Sequence, residues 1–194
     1  MTNALIERFK KNSGFLRAAD SLTATEKYQL RKFIKKGTIS RVKRGFYHLN
    51  DSSKVSLEAE VARMIPTGIF CMYTSWFHYG LTTHVPADYH VAVPKTLRVV
   101  LPQFPPIKLY YWNLKNFGLG KTVAEFNGVR VAVYDIERSV CDAIRFRNKI
   151  GADLMSEILR NYSKRKDKNL DKLLKYASQL RIAKTTNQFL QISL

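Results

Sequence analysis

The stretch from Ser13 to Tyr47, SGFLRAADSLTATEKYQLRKFIKKGTISRVKRGFY, most constrains what this chain can fold into. It contains a helix whose two ends are both marked. Thr23 stands where an N-cap belongs, and Glu26 three positions later completes a capping box. Gly37 stops the helix just after Lys36. Upstream, Leu5, Ile6 and Phe9 recur at helical spacing and predict a first helix over residues 3–11. Phe15 to Asp20 reads as a second, short helix with Leu16, Ala19 and Leu22 turned inward. Downstream, Thr38 to Leu49 alternates Ile39, Val42 and Phe46 with polar residues around Lys43-Arg44-Gly45, which predicts two short strands joined by a turn. Helices followed directly by a hairpin, in that order, are the elements of a winged helix-turn-helix.

The capped helix has a narrow apolar stripe of Leu30, Phe33 and Ile34. Thr25, Tyr28, Lys32 and Lys35 lie on the opposite side, flanked by Gln29, Arg31 and Lys36. Hydroxyls, an amide and cations are the groups that contact base edges and phosphates when a helix lies in the major groove. Arg41, Lys43 and Arg44 would project from the tip of the hairpin toward phosphates or a minor groove. Charge supports the same partner. Thirty-three Lys and Arg against fifteen Asp and Glu give +18, and residues 1–50 alone hold twelve against three, a net of +9. An excess of that size points to a polyanion, with double-stranded DNA first. No apolar run approaches the roughly 18–20 residues that a membrane span needs. Residues 1–12 lack the apolar stretch of a signal peptide. Cys71 and Cys141 are few and distant, as expected in a reducing compartment, so a cytoplasmic protein is predicted.

Asp51 to Lys54 reads as a polar connector, dividing a DNA-binding domain over 1–50 from a second domain over 56–194. In the second domain, Leu57, Val61, Met64 and Ile65 share one helical face. Thr67 to Leu81 starts as a buried strand and ends as a buried helix, with Gly80 as its stop. Strands are predicted at 88–93, at 107–112, and at 121–126 and 129–134, the last two flanking Asn127-Gly128, the strongest short hairpin signal. Asp135 caps a helix ending near Lys149, another helix follows Gly151, and two short helices close the chain after a basic loop at 163–169. The predicted class is α+β, a winged helix-turn-helix followed by a mixed α/β domain with a helical C-terminal end.

Asp135, Glu137 and Asp142 could together hold a metal, as carboxylates do in nucleases. Helix capping explains the first two more simply, since negative charge is favoured at a helix start. His48, His78, His84 and His90 lack partners at ligand spacing, and His78 reads as a hydrogen-bonded core residue. Gly118-Leu119-Gly120-Lys121 has the wrong spacing and context for a phosphate loop. No catalytic residue, metal or cofactor is therefore assigned. Two alternatives stand beside a DNA-binding repressor. One is a metal-dependent nuclease that a winged head targets; the other is a protein-interaction module whose head has no DNA role.

Several segments resemble the AbiEi family, the antitoxins and transcriptional regulators of type IV abortive-infection toxin–antitoxin systems. The matching stretches are GTISRVKRGFYHL (37–49), PTGIFCMYTSWFHYGLTTHVP (66–86), YHVAVP (89–94) and VRVAVYDIERSVCDAIRFRNKIG (129–151), together with the tail through Leu194. The resemblance implies a bacterial phage-defence protein. Its head, a monomer or weak dimer cooperative on DNA, would bind inverted repeats in its own promoter. Its C-terminal domain would counteract a nucleotidyltransferase-like toxin without needing a stable complex. By position, Thr25, Tyr28, Gln29, Arg31, Lys32 and Lys35 would contact DNA from the helix, and Arg41, Lys43 and Arg44 from the wing. Residues 11–22 depart from the family pattern, being a less regular first helix of the motif. The basic residues Arg145, Arg147, Lys149, Arg160, Lys164, Arg165 and Lys166 are the candidate antitoxin surface.

Overall fold

The computed structural model describes residues 4–12, 14–17, 22–43, 45–50, 56–101, 104–126 and 128–193. The chain is α+β with two separate sheets. The N-terminal part runs α1 (Ala4–Lys11), β1 (Phe15–Arg17), α2 (Ala24–Lys35), β2 (Ile39–Lys43) and β3 (Phe46–Leu49). Its three strands form an antiparallel sheet in the order β1-β3-β2. Leu5 and Phe9 of α1, Leu16 of β1, Leu22, Leu30 of α2, Ile39 and Leu49 close a small core between helices and sheet.

Both predicted ends of α2 are present. The Thr23 hydroxyl accepts from the Glu26 amide at 3.2 Å, and the Glu26 carboxylate accepts from the Thr23 amide at 2.9 Å. At the other end Gly37 sits at φ +71°, where an L side chain would be strained. The Thr38 amide donates to the Phe33 carbonyl and the Gly37 amide to Ile34, which is a Schellman stop. Arg8 of α1 reaches the Glu26 carboxylate at 2.6 Å and locks the two helices together.

One predicted element is corrected. Phe15–Arg17 is a strand, not the start of a helix, and pairs with Phe46–His48 of β3. Gly14 turns the chain at φ +84°, and three residues beside an open strand edge gain ladder hydrogen bonds at once. A helix of that length would first have to meet the cost of nucleation. Residues 18–20, the rest of that predicted helix, lie outside the described residues, as do the connector at 51–55 and Arg44.

The second part begins with α3 (Leu57–Met64), capped by Ser56, and contains β4 (Ile69–Phe70), α4 (Met72–His78), β5 (Tyr89–Pro94), β6 (Ile107–Trp112), α5 (Leu114–Phe117), β7 (Lys121–Phe126) and β8 (Val129–Tyr134). Five helices follow: α6 (Ile136–Arg145), α7 (Arg147–Ile150), α8 (Ala152–Ser163), α9 (Leu170–Gln179) and α10 (Ala183–Ser193). The sheet order is β6-β5-β4-β8-β7, with β5–β6 and β4–β8 parallel and the other two pairs antiparallel. Period-two alternation sorts the side chains to two faces. Ala92, Trp112 and Tyr134 pack under Trp76, Val140 and the C-terminal helices. Val91, Val93, Val131 and Val133 pack under α3. Phe46 of β3 belongs to this second core, and Arg17 donates to the Arg63 carbonyl, so the first part is seated against α3. No helix among the described residues is long and apolar enough to cross a membrane.

A buried ion pair within α6 anchors the turn between α5 and β7. Arg138 Nε donates to Asp142 at 3.0 Å, and both side chains are fully buried. Arg138 Nη1 donates to the carbonyls of Asn116 and Leu119 at 2.7 and 2.8 Å. The guanidinium also lies 4.3 Å from the Tyr134 ring and 4.7 Å from Trp112. Burial pushes the Asp142 carboxyl up, and the Arg138 charge pulls it back. Gly120 makes this approach possible. At φ +74°, a Cβ there would lie 2.5 Å from the Arg138 Cβ. The Gly118–Lys121 stretch is thus a close-packing turn into β7.

Candidate nucleic-acid interface

Helix α2 presents the face that the sequence predicts. Leu30 is buried, and Phe33 and Ile34 are partly buried against the same core. Thr25, Tyr28, Arg31, Lys32 and Lys35 are exposed and Gln29 is half-buried. Tyr28 is 70% exposed at the middle of this face. Among the described residues none of Arg31, Lys32 and Lys35 forms an ion pair. The single acid of the helix, Glu26, is held on the other flank. The Thr23 backbone hydrogen bond first, and Arg8 next, keep its carboxylate below its ordinary range. The outward face of the helix therefore carries cations and no carboxylate.

The hairpin lies directly after α2. Its register runs Ile39↔Leu49, Ser40↔His48 and Arg41↔Tyr47, then slips by a bulge so that Lys43 faces Phe46. Ile39 and Phe46 point inward, and Arg41 is exposed. Of Lys43 the backbone alone is described, and Arg44 lies outside the described residues. The bulge increases the local twist, a common way of re-aiming the tip of a hairpin.

The carboxylates weighed for catalysis are engaged elsewhere. Asp135 Oδ1 accepts from the Arg138 amide at 2.8 Å, capping α6. Its Oδ2 accepts from Tyr176 at 3.0 Å and pairs with Lys172 at 3.0 Å. Glu137 accepts from the Asn169 amide at 3.1 Å and pairs with the same Lys172 at 3.2 Å. Lys172 thereby docks α9 on the start of α6. Asp142 points the other way, into the core and onto Arg138. Among the described residues no three His, Cys, Asp or Glu side chains converge as a metal site. His78 is half-buried rather than a core residue and stacks on Phe126, ring centroids 3.8 Å apart. His90 is buried, and its Nδ1 lies 2.8 Å from the Tyr110 hydroxyl.

The predicted antitoxin residues do not form one patch. Arg145 at the C-terminal end of α6 and Lys149 on α7 are exposed, their charges 5.0 Å from the Trp112 ring and 5.6 Å from the Phe146 ring respectively. Arg147 folds back onto the Ile144 carbonyl at 3.1 Å. Arg165 sits near the opposite end of α6, bonded to Asp167 and to the Tyr79 carbonyl. The ten residues of α6 separate the two groups by about 15 Å. Arg160, Lys164 and Lys166 are exposed on or just after α8. Lys108, Lys115 and Arg181, which the sequence did not single out, lie near Arg145 instead.

No protein-family profile matches this chain, and no curated protein matches it at a significant level. Among solved structures it is similar to the crystal structure of the RV2827C protein from Mycobacterium tuberculosis. The TM-score is 0.61 at 10% identity, over 93% of this chain and 75% of that one. The likeness is one of fold, and it extends over both parts of the molecule.

Proposed function

We propose that this chain is a DNA-binding transcriptional repressor, reading its operator with α2 and gripping phosphates with the β2–β3 hairpin as a wing. The observation that carries this reading is the unpaired cationic face of α2, capped at both ends and fixed by Arg8 and the core beneath it. A rigid helix of this kind enters a major groove without ordering cost. Gln29, Tyr28 and Thr25 then supply hydrogen bonds to base edges, and Arg31, Lys32, Lys35 and Arg41 supply phosphate contacts. In this reading the order β1-β3-β2 is the sheet of a winged helix, with α2 as its recognition helix.

With Lys43 and Arg44 of the wing counted, about six phosphate contacts give a log–log slope of affinity on salt near −5. A gel-shift titration of the DNA upstream of the gene measures it. Lys32→Ala with Arg41→Ala is expected to reduce the slope by about 1.8 and to weaken all sequences alike. Salt-insensitive binding, or binding indifferent to these substitutions, removes the proposal. The antitoxin half of the reading rests on the resemblance over 66–86 and 129–151. In it the body counteracts a nucleotidyltransferase-like toxin encoded beside it. Co-expression is the test: restored growth supports antitoxin action, and unrelieved toxicity rejects it.

A further inference from the structure

Strand β6 is an edge of the large sheet, paired with β5 alone. Its outer side faces the C-terminal end of α6 across a groove of about 510 Å³. Lys108, Tyr111, Trp112, Arg145, Phe146 and Lys149 are among its walls. A second depression of about 290 Å³ has Arg145 in common with it and adds Lys115, Asn116 and Arg181. No carboxylate lines either one. A third depression, bordered by α3, α4, the start of β5 and the end of β7, counts Glu58, Asp88 and Glu125 among its walls, so acid is not scarce in the body but sorted away. Among the described residues, none of Lys108, Lys115, Arg145, Lys149 and Arg181 forms an ion pair.

Five cations without ion pairs, around two depressions that share Arg145, repel each other, and a bound polyanion relieves that repulsion. An aromatic ring stands at its rim. Tyr111 is 52% exposed on β6, and its register partner Val93 packs under α3, so its ring lies on the sheet face opposite Trp112, beside the open strand edge. The Arg145 guanidinium lies 5.0 Å from the Trp112 ring, which fixes where its charge sits. Cations that track a backbone, beside an aromatic ring free to stack, are what single-stranded nucleic acid requires. A duplex keeps its base faces stacked inside and cannot use Tyr111. A lone phosphate would leave most of the cations unmatched, since β6 by itself spans about 17 Å.

We propose that the groove at the β6 edge binds single-stranded nucleic acid. Phosphates run along Lys108, Lys149, Arg145, Lys115 and Arg181, and a base reaches over the open edge of β6 to stack on Tyr111. This site does not depend on the DNA reading assigned to α2.

The test uses the full chain with Arg31→Ala, Lys32→Ala and Lys35→Ala, which silences the α2 face. Fluorescence anisotropy follows a labelled 12-nucleotide oligouridine at low salt. Five neutralised phosphates predict a salt slope of about −3.5, falling by about 1.4 on Arg145→Ala with Lys149→Ala. Tyr111→Ala is expected to weaken binding at least about fivefold, and Tyr111→Phe to keep it, since stacking needs the ring and not the hydroxyl. An oligonucleotide carrying 5-iodouridine should crosslink to Tyr111. Circular dichroism and the melting temperature check that each variant is folded. Affinity indifferent to Tyr111→Ala overturns the proposal. So does a duplex of equal length, or polyglutamate, bound as tightly as the oligouridine, the latter assigning the groove to an acidic peptide. In the unsubstituted chain, absence of a promoter shift with oligouridine binding intact counts against the α2 reading alone.

Discussion

The two cationic regions of this molecule are built in opposite ways. On α2 the charges Arg31, Lys32 and Lys35 follow one another within five positions of a single helix, and a local capping box fixes the whole set. At the β6 edge they come from residues 108 to 181, on or beside five different elements, and border two depressions that share Arg145, where the sheet and α6 converge. A surface carried on one helix is as stable as that helix and its small core. A surface assembled from several elements is as stable as the whole body. The two should therefore fail separately under different substitutions.

The largest expected effect comes from the pair beneath the groove. Arg138→Leu leaves Asp142 buried without its partner and is expected to cost about 3–5 kcal/mol, read as a drop in the melting temperature. Oligouridine binding should be lost with it, while the promoter shift persists at temperatures where α2 stays folded. A parallel loss of both would show one cooperative unit and break the comparison. Replacing both partners, Arg138→Leu with Asp142→Leu, should recover much of the stability, because no charge is then stranded.

A smaller effect separates the two faces of the body by pH. Burial raises the Glu60 carboxyl from its ordinary value to about 7. The folded chain then keeps a proton that the unfolded chain releases, so this contribution is full below pH 4.5 and is lost as pH rises to 7. His90 is the reverse. Burial, and then the Lys108 cation, lower it from 6.5 to about 4, so its contribution is full above 6.5 and is lost as pH falls to 4. Glu60→Gln is expected to stabilise the chain at pH 8 by about 2 kcal/mol and to leave stability rising monotonically between pH 4 and 6.5. Urea titrations at pH 5, 6, 7 and 8 check this. An unchanged pH profile would mean that Glu60 is solvated.

The smallest effect lies in the N-terminal part. Thr23→Ala removes the cap of α2 and is expected to cost about 1 kcal/mol. Promoter affinity should fall with it while oligouridine binding is unchanged, which sharpens the distinction between a local and an assembled surface. Equal loss at both sites would show that α2 and the body share one stability.

Much of the architecture was legible because it is periodic. The strand at 107–112 and the strands on either side of residues 127–128 are at their predicted positions, since alternation and a two-residue turn mark them without reference to the rest of the chain. The cap at Asp135 and the stop at Gly37 are also local. Phe15–Arg17 was misread because three residues carry too little periodicity, and the open edge of β3 decided their conformation. Asp142 was grouped with Asp135 and Glu137 because seven residues bring a helix nearly back to the same face. The i,i+4 spacing to Arg138 was the signal that could have separated it.

The sequence by itself determined the charge, the capped basic helix, the hairpin after it and most strands of the body. All of these depend on neighbours within a turn or two. Only the tertiary structure decided that β6 is an edge, that Arg138 is a buried fastener, and that Lys108, Lys115, Arg145, Lys149 and Arg181 border two depressions that share Arg145. Sheet order and helix docking are set by contacts between residues tens of positions apart. No local pattern in the chain encodes which strand is left without a second partner.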